Sequence, residues 1–197
     1  MFCYHGWGYP AEIFSPFQSA DRGYFGQKKE GIPSKKIVTH SFGLHWADLS
    51  QCEELVVLSG FIRLGVGFME EMKLKLIKKY LQDDPIELLG DFYSESGYTG
   101  EAPWLEQPIN VQLLLDDLDR MQKGLDTKPL LNIPKITLWH AKKDKVVLKD
   151  RANELNNLLP HAEVIWVEGG HMATLEQWKS VKQQLQEPSE GQKRPID

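Results

Sequence analysis

Cysteine and long apolar runs are both scarce in this 197-residue chain, which has only Cys3 and Cys52. Two distant cysteines match neither a zinc-ligand spacing nor a disulfide framework, so we expect no metal site and a reducing compartment, the cytoplasm. A membrane helix needs roughly 18 consecutive apolar residues, and the sequence has no such run. The first residues also lack the basic and apolar regions of a signal peptide. The expected partners therefore do not include a membrane.

Basic charge is in short supply as well. The chain has 23 Lys and Arg against 28 Asp and Glu, a formal net charge of −5. A nucleic-acid-binding protein needs a basic surface to neutralise phosphates, so the charge balance argues against that class. The length suits one sizeable core rather than two large domains, and we expect a monomer.

Short apolar runs alternate with helical patterns along the chain. The runs predict strands at residues 2–4, 17–20, 37–38, 55–58, 135–139 and 164–167. Helices are expected at 42–50, 149–159 and 174–186, and the pattern within 61–126 predicts about three more, with Asp84 and Asn110 as N-caps. This alternation is typical of an α/β fold with a mostly parallel sheet.

The same pattern divides the chain into segments. Residues 1–60 and 128–187 are expected to form the two parts of one α/β core. Residues 61–127 would form a small helical lid inserted between them. Residues 188–197 are rich in charge, proline, glycine and serine, and a disordered tail is predicted there.

The segment around Ser41 has the order strand, sharp turn, helix. In a G-x-S-x-G nucleophile elbow the serine occupies a strained turn, and small neighbours let strand and helix approach closely. Gly43 provides the small residue after Ser41, whereas Thr39 stands where glycine is usual. A buried serine at an ordinary strand-to-helix corner is the alternative interpretation.

Reactive side chains follow three of the predicted strands. Ser41, Asp144 and His171 come after the strands at 37–38, 135–139 and 164–167, and parallel strands bring their carboxyl ends to one edge of a sheet. Asp144 and His171 are separated by 27 residues, enough for one helix and one strand. Taken singly, the aspartate suits a surface loop and the histidine a turn. The ordered set predicts a Ser-Asp-His triad, and the other histidines lack a metal-ligand pattern.

Four segments resemble the signatures of the α/β-hydrolase superfamily: residues 5–8 (HGWG), 39–43 (THSFG), 144–147 (DKVV) and 168–171 (EGGH). The resemblance implies an α/β-hydrolase fold and catalysis by Ser41, Asp144 and His171. It also implies an oxyanion hole made by the backbone N–H groups of Trp7 and Phe42, with no cofactor or metal. Relative to that fold, the chain starts almost at the strand before His5, so the sheet is expected to be truncated at its N-terminus by two strands.

More narrowly, residues 5–8, the loop at 21–26, the short lid and the run 131–172 resemble pimeloyl-acyl-carrier-protein methyl ester esterases of biotin synthesis. That likeness implies a serine carboxylesterase with an apolar channel for the acyl chain and a basic rim for the acidic carrier protein. The candidates for the channel are Trp7, His40, Phe61, Phe68 and Tyr93. The candidates for the rim are Lys73, Lys75, Lys78 and Lys79, which equally suit the solvated face of an amphipathic helix.

Two other functions stay open. A general short-chain carboxylesterase or thioesterase would use the same triad. A non-catalytic, hydrolase-like binding protein is conceivable because the N-terminal part of the fold is shortened, although the intact set of three reactive residues argues against it.

Overall fold

A six-stranded parallel sheet forms the centre of the molecule. The computed structural model describes residues 1–14, 17–26 and 32–186. The strands are β1 (Phe2–Tyr4), β2 (Gln18–Ala20), β3 (Lys36–His40), β4 (Glu54–Leu58), β5 (Lys135–Ala141) and β6 (Glu163–Val167). Their order across the sheet is β2-β1-β3-β4-β5-β6, and each neighbouring pair is parallel. The predicted strands and their parallel arrangement are confirmed.

Five α-helices accompany the sheet in the described residues. They are α1 (Phe68–Asp83), α2 (Pro85–Ser96), α3 (Val111–Lys123), α4 (Lys149–Leu158) and α5 (Leu175–Gln186). The first three lie between β4 and β5, as the helical pattern of 61–126 predicts. Asp84 accepts a hydrogen bond from the Glu87 N–H and Asn110 from the Leu113 N–H, both at 3.0 Å, so both predicted N-caps are confirmed.

The sheet is covered on both faces, because successive residues of β4 belong to different buried clusters. Val56 and Leu58 pack in a cluster with residues of α1 to α3 and α5. Leu55 and Val57 pack in a second cluster with Leu155 of α4. All four side chains are at most 3% exposed. This arrangement explains the uninterrupted apolar run that predicts β4, since a strand buried on both faces has no polar side.

The helix predicted over 42–50 is wrong in extent. Only a short 3₁₀ helix is present, Ser41–His45, and Trp46 is its C-cap. The Trp46 indole N–H donates to the carbonyl oxygen of His5 at 3.2 Å, and its ring packs edge-on against Tyr4 at 4.9 Å. This anchoring draws the chain back onto the end of β1 instead of continuing the helix.

The tail predicted at 188–197 lies outside the described residues. Within them, no helix combines the length and apolar character that a membrane crossing requires.

Candidate active site

Ser41 stands directly after β3 in a strained backbone conformation. Its φ is +53°, in the left-handed region that non-glycine residues rarely adopt. The residue before it, His40, is extended, and the 3₁₀ helix starts at Ser41. The order strand, strained turn, helix predicted for this segment is therefore present, and it is the geometry that projects a serine hydroxyl above a sheet.

Glycine at position 43 allows the helix to pack on the end of β1. A Cβ at residue 43 would lie 2.0 Å from the carbonyl oxygen of Tyr4, which is closer than two non-bonded atoms can approach. Gly6 is similarly close to the turn, since its Cβ would be 3.1 Å from the Ser41 Cβ. Thr39 fits within β3, where it is completely buried. The unusual threonine thus leaves the turn intact.

Asp144 and His171 meet at the carboxyl edge of the sheet, as their strand ends predict. The His171 Nδ1–H donates to Asp144 Oδ2 at 2.9 Å, and both side chains are at most 5% exposed. Burial acts to raise the pKa of Asp144. The adjacent His171, together with the backbone N–H groups of Val146 and Val147, outweighs burial and lowers that pKa. Asp144 is therefore ionised and holds His171 in the tautomer whose Nε2 carries a lone pair.

His171 lies beside the strand end that carries Ser41. Its ring centre is 4.9 Å from that of His40, whose Nε2–H donates to the His171 carbonyl oxygen at 3.1 Å. His171 Nε2 is buried and has no hydrogen-bond partner among the described residues, so the serine hydroxyl does not bond to it in this structure. Such contacts are often long before substrate binds. Burial lowers the pKa of His40 to about 3, so that ring is neutral.

Both residues whose backbone N–H groups are predicted for the oxyanion hole lie near Ser41, since Trp7 and Ser41 line the same cavity and Phe42 directly follows Ser41. Trp7 follows Gly6, where a Cβ would lie 3.1 Å from the Ser41 Cβ, and the Trp7 backbone N–H makes no hydrogen bond to any described residue. Phe42 is the second residue of the 3₁₀ helix, a position whose N–H has no acceptor within the helix. Both groups are therefore available to a negatively charged oxygen.

A cavity of about 140 Å³ opens beside Ser41. Its wall is mainly apolar and is formed by Trp7, Phe61 and Phe92 together with residues of α1 and α3, among them Leu74, Ile77 and Leu118. His171 is not part of this wall and instead borders a separate small void together with Ser59. The cavity is thus an apolar recess with a serine at one side.

Of the five residues predicted for the substrate channel, Trp7 and Phe61 line the cavity and the other three do not. Phe68, at the start of α1, is 75% exposed. Tyr93 is buried, and its hydroxyl donates to the carbonyl oxygen of Gly8. His40 is fully buried below the turn, where it holds the His171 backbone.

The four predicted rim lysines all lie on α1, but in different environments. Lys73 borders the cavity, 3.9 Å from Glu95, and Lys78 is bonded to Asp119 and Gln122 of α3. Lys75 and Lys79 are exposed, with no ion pair to any described residue. Two of the four ammonium groups are therefore fully available at the surface.

Sequence reasoning missed two serines that support His171. The Ser59 hydroxyl donates to the His171 carbonyl oxygen at 3.3 Å, and Ser59 itself has a positive φ of +49°. The carbonyl oxygen of Ser96 accepts from the Met172 N–H at 2.8 Å. Ser59 follows a predicted strand directly, a position that was a usable signal. Ser96 lies at the end of α2, and no signal in the sequence indicated its role.

Comparison with known proteins bears on the fold. No protein-family profile and no curated protein matches the chain. An enol-lactonase from Burkholderia xenovorans superposes with a TM-score of 0.69 at 12% identity over 94% of this chain and 90% of that one. A hydrolase from Oleispira antarctica superposes with a TM-score of 0.68 at 10% identity, over 93% of this chain and 89% of that one. A thermophilic esterase from Thermogutta terrifontis superposes with a TM-score of 0.62 at 12% identity, over 93% of this chain and 86% of that one. The chain therefore has the α/β-hydrolase fold.

Proposed function

We propose that the protein is a serine hydrolase that cleaves carboxylic esters. Ser41 Oγ attacks the ester carbonyl carbon while His171 Nε2 accepts the hydroxyl proton, which it then delivers to the departing alkoxide. Asp144 fixes the imidazole tautomer and stabilises the imidazolium. The hydrogen bond between Asp144 and His171, beside a serine of positive φ, is the observation that carries this proposal.

The remaining steps use the backbone and solvent. The N–H groups of Trp7 and Phe42 donate to the oxyanion, and each such donor contributes about 10²–10³ in rate. A water molecule deprotonated by His171 then attacks the acyl-enzyme, and the acid leaves with Ser41 regenerated. The lid helices supply the apolar wall on which the acyl chain rests.

Hydrolysis of p-nitrophenyl esters from acetate to octanoate tests the proposal. Wild type should hydrolyse them well above background, and Ser41→Ala should not. Ser180→Ala, which removes an exposed hydroxyl on α5, is the matched control and should match wild type. Equal background rates for wild type and Ser41→Ala would favour the non-catalytic binding protein instead.

A short acyl chain suits the cavity best. Its volume of about 140 Å³ is close to the roughly 150 Å³ of an engineered apolar cavity that binds benzene. This size supports a general short-chain esterase, and it also accommodates part of a pimeloyl chain. The chain-length profile of the p-nitrophenyl esters will locate the limit.

The finer proposal follows the resemblance of the sequence: the substrate is the methyl ester of pimeloyl-acyl-carrier protein, cleaved in the cytoplasm during biotin synthesis. Both cysteines are buried free thiols, as suits a reducing compartment. Rescue of biotin auxotrophy in a strain that lacks its own pimeloyl ester esterase tests this substrate. If the protein hydrolyses p-nitrophenyl esters but does not rescue the strain, the result would favour a general esterase over the pimeloyl ester esterase.

An exposed apolar face on α1 supports docking of the carrier protein. Five large side chains on α1 are at least 40% exposed: Phe68, Met69, Met72, Leu76 and Tyr80. Lys75 and Lys79 project from the same side of the helix, so an acidic partner with apolar contacts would complement this surface. Helix α1 would then be both part of the lid and the docking surface for the carrier protein.

A double charge reversal on α1 tests this docking. Lys75→Glu with Lys79→Glu should raise KM for the carrier-bound ester by about tenfold, because rim charges mainly speed encounter. Hydrolysis of p-nitrophenyl butyrate should not change. Lys123→Glu, an exposed lysine of α3, is the control. An unchanged KM for the double variant would exclude this face as the docking surface.

A further inference from the structure

The last turn of α2 contacts both segments on which the proposed chemistry depends. The Tyr93 hydroxyl donates a hydrogen bond to the carbonyl oxygen of Gly8, in the turn proposed to hold the oxyanion. Three residues later, the carbonyl oxygen of Ser96 accepts from the N–H of Met172, directly after His171, at 2.8 Å. One turn of a lid helix is therefore bonded to the oxyanion turn on one side and to the base loop on the other.

Buried hydroxyl groups reinforce these two bonds. The Ser96 hydroxyl donates to the carbonyl oxygen of Tyr93 at 2.8 Å, so the hydrogen bond between Ser96 and Tyr9 has the Tyr9 hydroxyl as its donor. The Trp104 indole N–H donates to the Tyr93 hydroxyl at 2.9 Å. Tyr9, Tyr93 and Ser96 are all at most 3% exposed. Water cannot readily replace a missing partner in such a network, so each bond holds its segment in place.

Two glycines let the oxyanion turn and the base loop lie close to α2. Gly8 has φ +72°, and a Cβ there would lie 2.9 Å from Leu89 Cδ2. A Cβ on Gly170, the residue before His171, would lie 3.2 Å from the Ser96 carbonyl oxygen. Burial also raises the pKa of Tyr93, which keeps its phenol protonated as a donor.

We infer that Tyr93 and Ser96 are positioning residues that set the distance between the oxyanion turn and His171. The inference rests on the proposed function, since it concerns how Trp7 N–H and the imidazole act together on one carbonyl group. Neither side chain lines the substrate cavity. Tyr93 acts through its bond to the Gly8 carbonyl oxygen. The Ser96 hydroxyl, bonded to Tyr9 and Tyr93, fixes the turn whose carbonyl oxygen accepts from the Met172 N–H. In this arrangement α2 is a fixed wall of the site rather than a flap that opens.

Tyr93→Phe tests the inference by removing one hydroxyl and keeping the ring. We expect kcat for p-nitrophenyl butyrate to fall about tenfold or more with KM within about twofold of wild type, because displaced oxyanion donors act on the transition state. Tyr98→Phe is the matched control, since its hydroxyl bonds to the carbonyl oxygen of Glu101 in an exposed loop. That control should match wild type in both constants.

Inhibition by butylboronic acid separates positioning from a general loss of structure. The boronate adduct on Ser41 directs an oxygen at the oxyanion donors and so mimics the transition state. Its inhibition constant should rise by the same factor by which kcat/KM falls, in Tyr93→Phe and in Ser96→Ala. Thermal melting and circular dichroism establish that each variant is folded. Trp104→Phe, which removes the indole donor to Tyr93 and keeps an aromatic ring at that position, should show the same pattern at about threefold.

Three outcomes would overturn the inference. One is a folded Tyr93→Phe with wild-type kcat and boronate affinity, and another is an equal loss in Tyr98→Phe. If Tyr93→Phe does not fold, wild-type constants in both Ser96→Ala and Trp104→Phe would be the third. A Ser41→Ala variant as active as wild type would instead overturn the proposed function itself, so the two failures are distinguishable.

Discussion

The carbonyl oxygen of Tyr4 occupies the space that a side chain on Gly43 would need, 2.0 Å from the position of its Cβ. This contact joins the short helix after Ser41 to the end of β1. Because β1 leads directly into the turn at Gly6 and Trp7, the position of that turn depends on the absence of a side chain at residue 43. The close packing of Gly43 on the Tyr4 carbonyl oxygen thus helps to fix the position of Ser41 relative to the proposed oxyanion donors.

Gly43→Ala should prevent correct folding around Ser41, since a contact of 2.0 Å between a methyl group and a backbone oxygen can be relieved only by moving β1 or the helix. We expect a loss of at least about 3 kcal/mol in the free energy of unfolding, at the upper end of single substitutions. Urea unfolding measures it.

Gly90→Ala is the matched control for that change. Gly90 lies within α2, and a Cβ there meets no atom within 4 Å. Alanine is the better helix former by about 1 kcal/mol, so this variant should be slightly more stable than wild type. Equal effects of the two substitutions would contradict the packing role assigned to Gly43.

Ser41→Gly should separate stability from activity. Glycine adopts the φ of +53° without the cost of about 1–2 kcal/mol that a left-handed residue incurs, so the variant should unfold at higher urea than wild type. Ester hydrolysis should fall to background, because the nucleophile is gone. A variant that is less stable than wild type would show that the turn is not strained.

Asp144→Asn should reduce kcat by about 10⁴ with little change in fold, because an amide can donate to His171 Nδ1 and so stabilise the tautomer with the proton on Nε2. Such a ring cannot accept the Ser41 proton. Asp150→Asn, at an exposed position of α4, is the control and should match wild type. Retention of more than about a tenth of the wild-type kcat would remove Asp144 from the mechanism.

Local signals in the sequence predicted the elements well. Asp84 before a proline and Asn110 before an apolar repeat predict helix starts because capping is a contact within one turn, and both caps are present. The pairing of Asp144 with His171 was predictable because parallel strands bring their ends to one edge. These inferences needed only chain order and periodicity.

Contacts between distant segments explain where the predictions fell short. The helix expected over 42–50 ends early because Trp46 reaches back to His5, a contact no local pattern records. Tyr93 was assigned to the substrate channel as an aromatic lid residue, yet its hydroxyl bonds to Gly8, 85 positions away. Composition and spacing give the type of a side chain and its element, but not the direction in which it points.

The stability of the fold should decline in mild acid because burial lowers the pKa of His40, His45 and His140 and keeps these side chains uncharged. Burial lowers the pKa of His45 to about 4 and that of His40 to about 3, from an ordinary value of 6.5. Below pH 6.5 the unfolded chain takes up protons that the folded chain does not, so the free energy of unfolding falls with pH. Between pH 7.5 and 5 His40 and His45 should each remove on the order of 2 kcal/mol.

Urea unfolding at pH 7.5 and pH 5 measures this decline, and His45→Gln should reduce it by about 2 kcal/mol. His45 packs on Phe42 and Phe61, and its Nε2–H donates to the carbonyl oxygen of Phe61, a bond that a glutamine amide can also make. His161→Gln, at an exposed position, controls for the loss of a histidine. Carboxylates with lowered pKa lose their contribution only below about pH 4.5, outside this window. A free energy that is equal at the two pH values would mean that His40 and His45 are protonated in the folded protein.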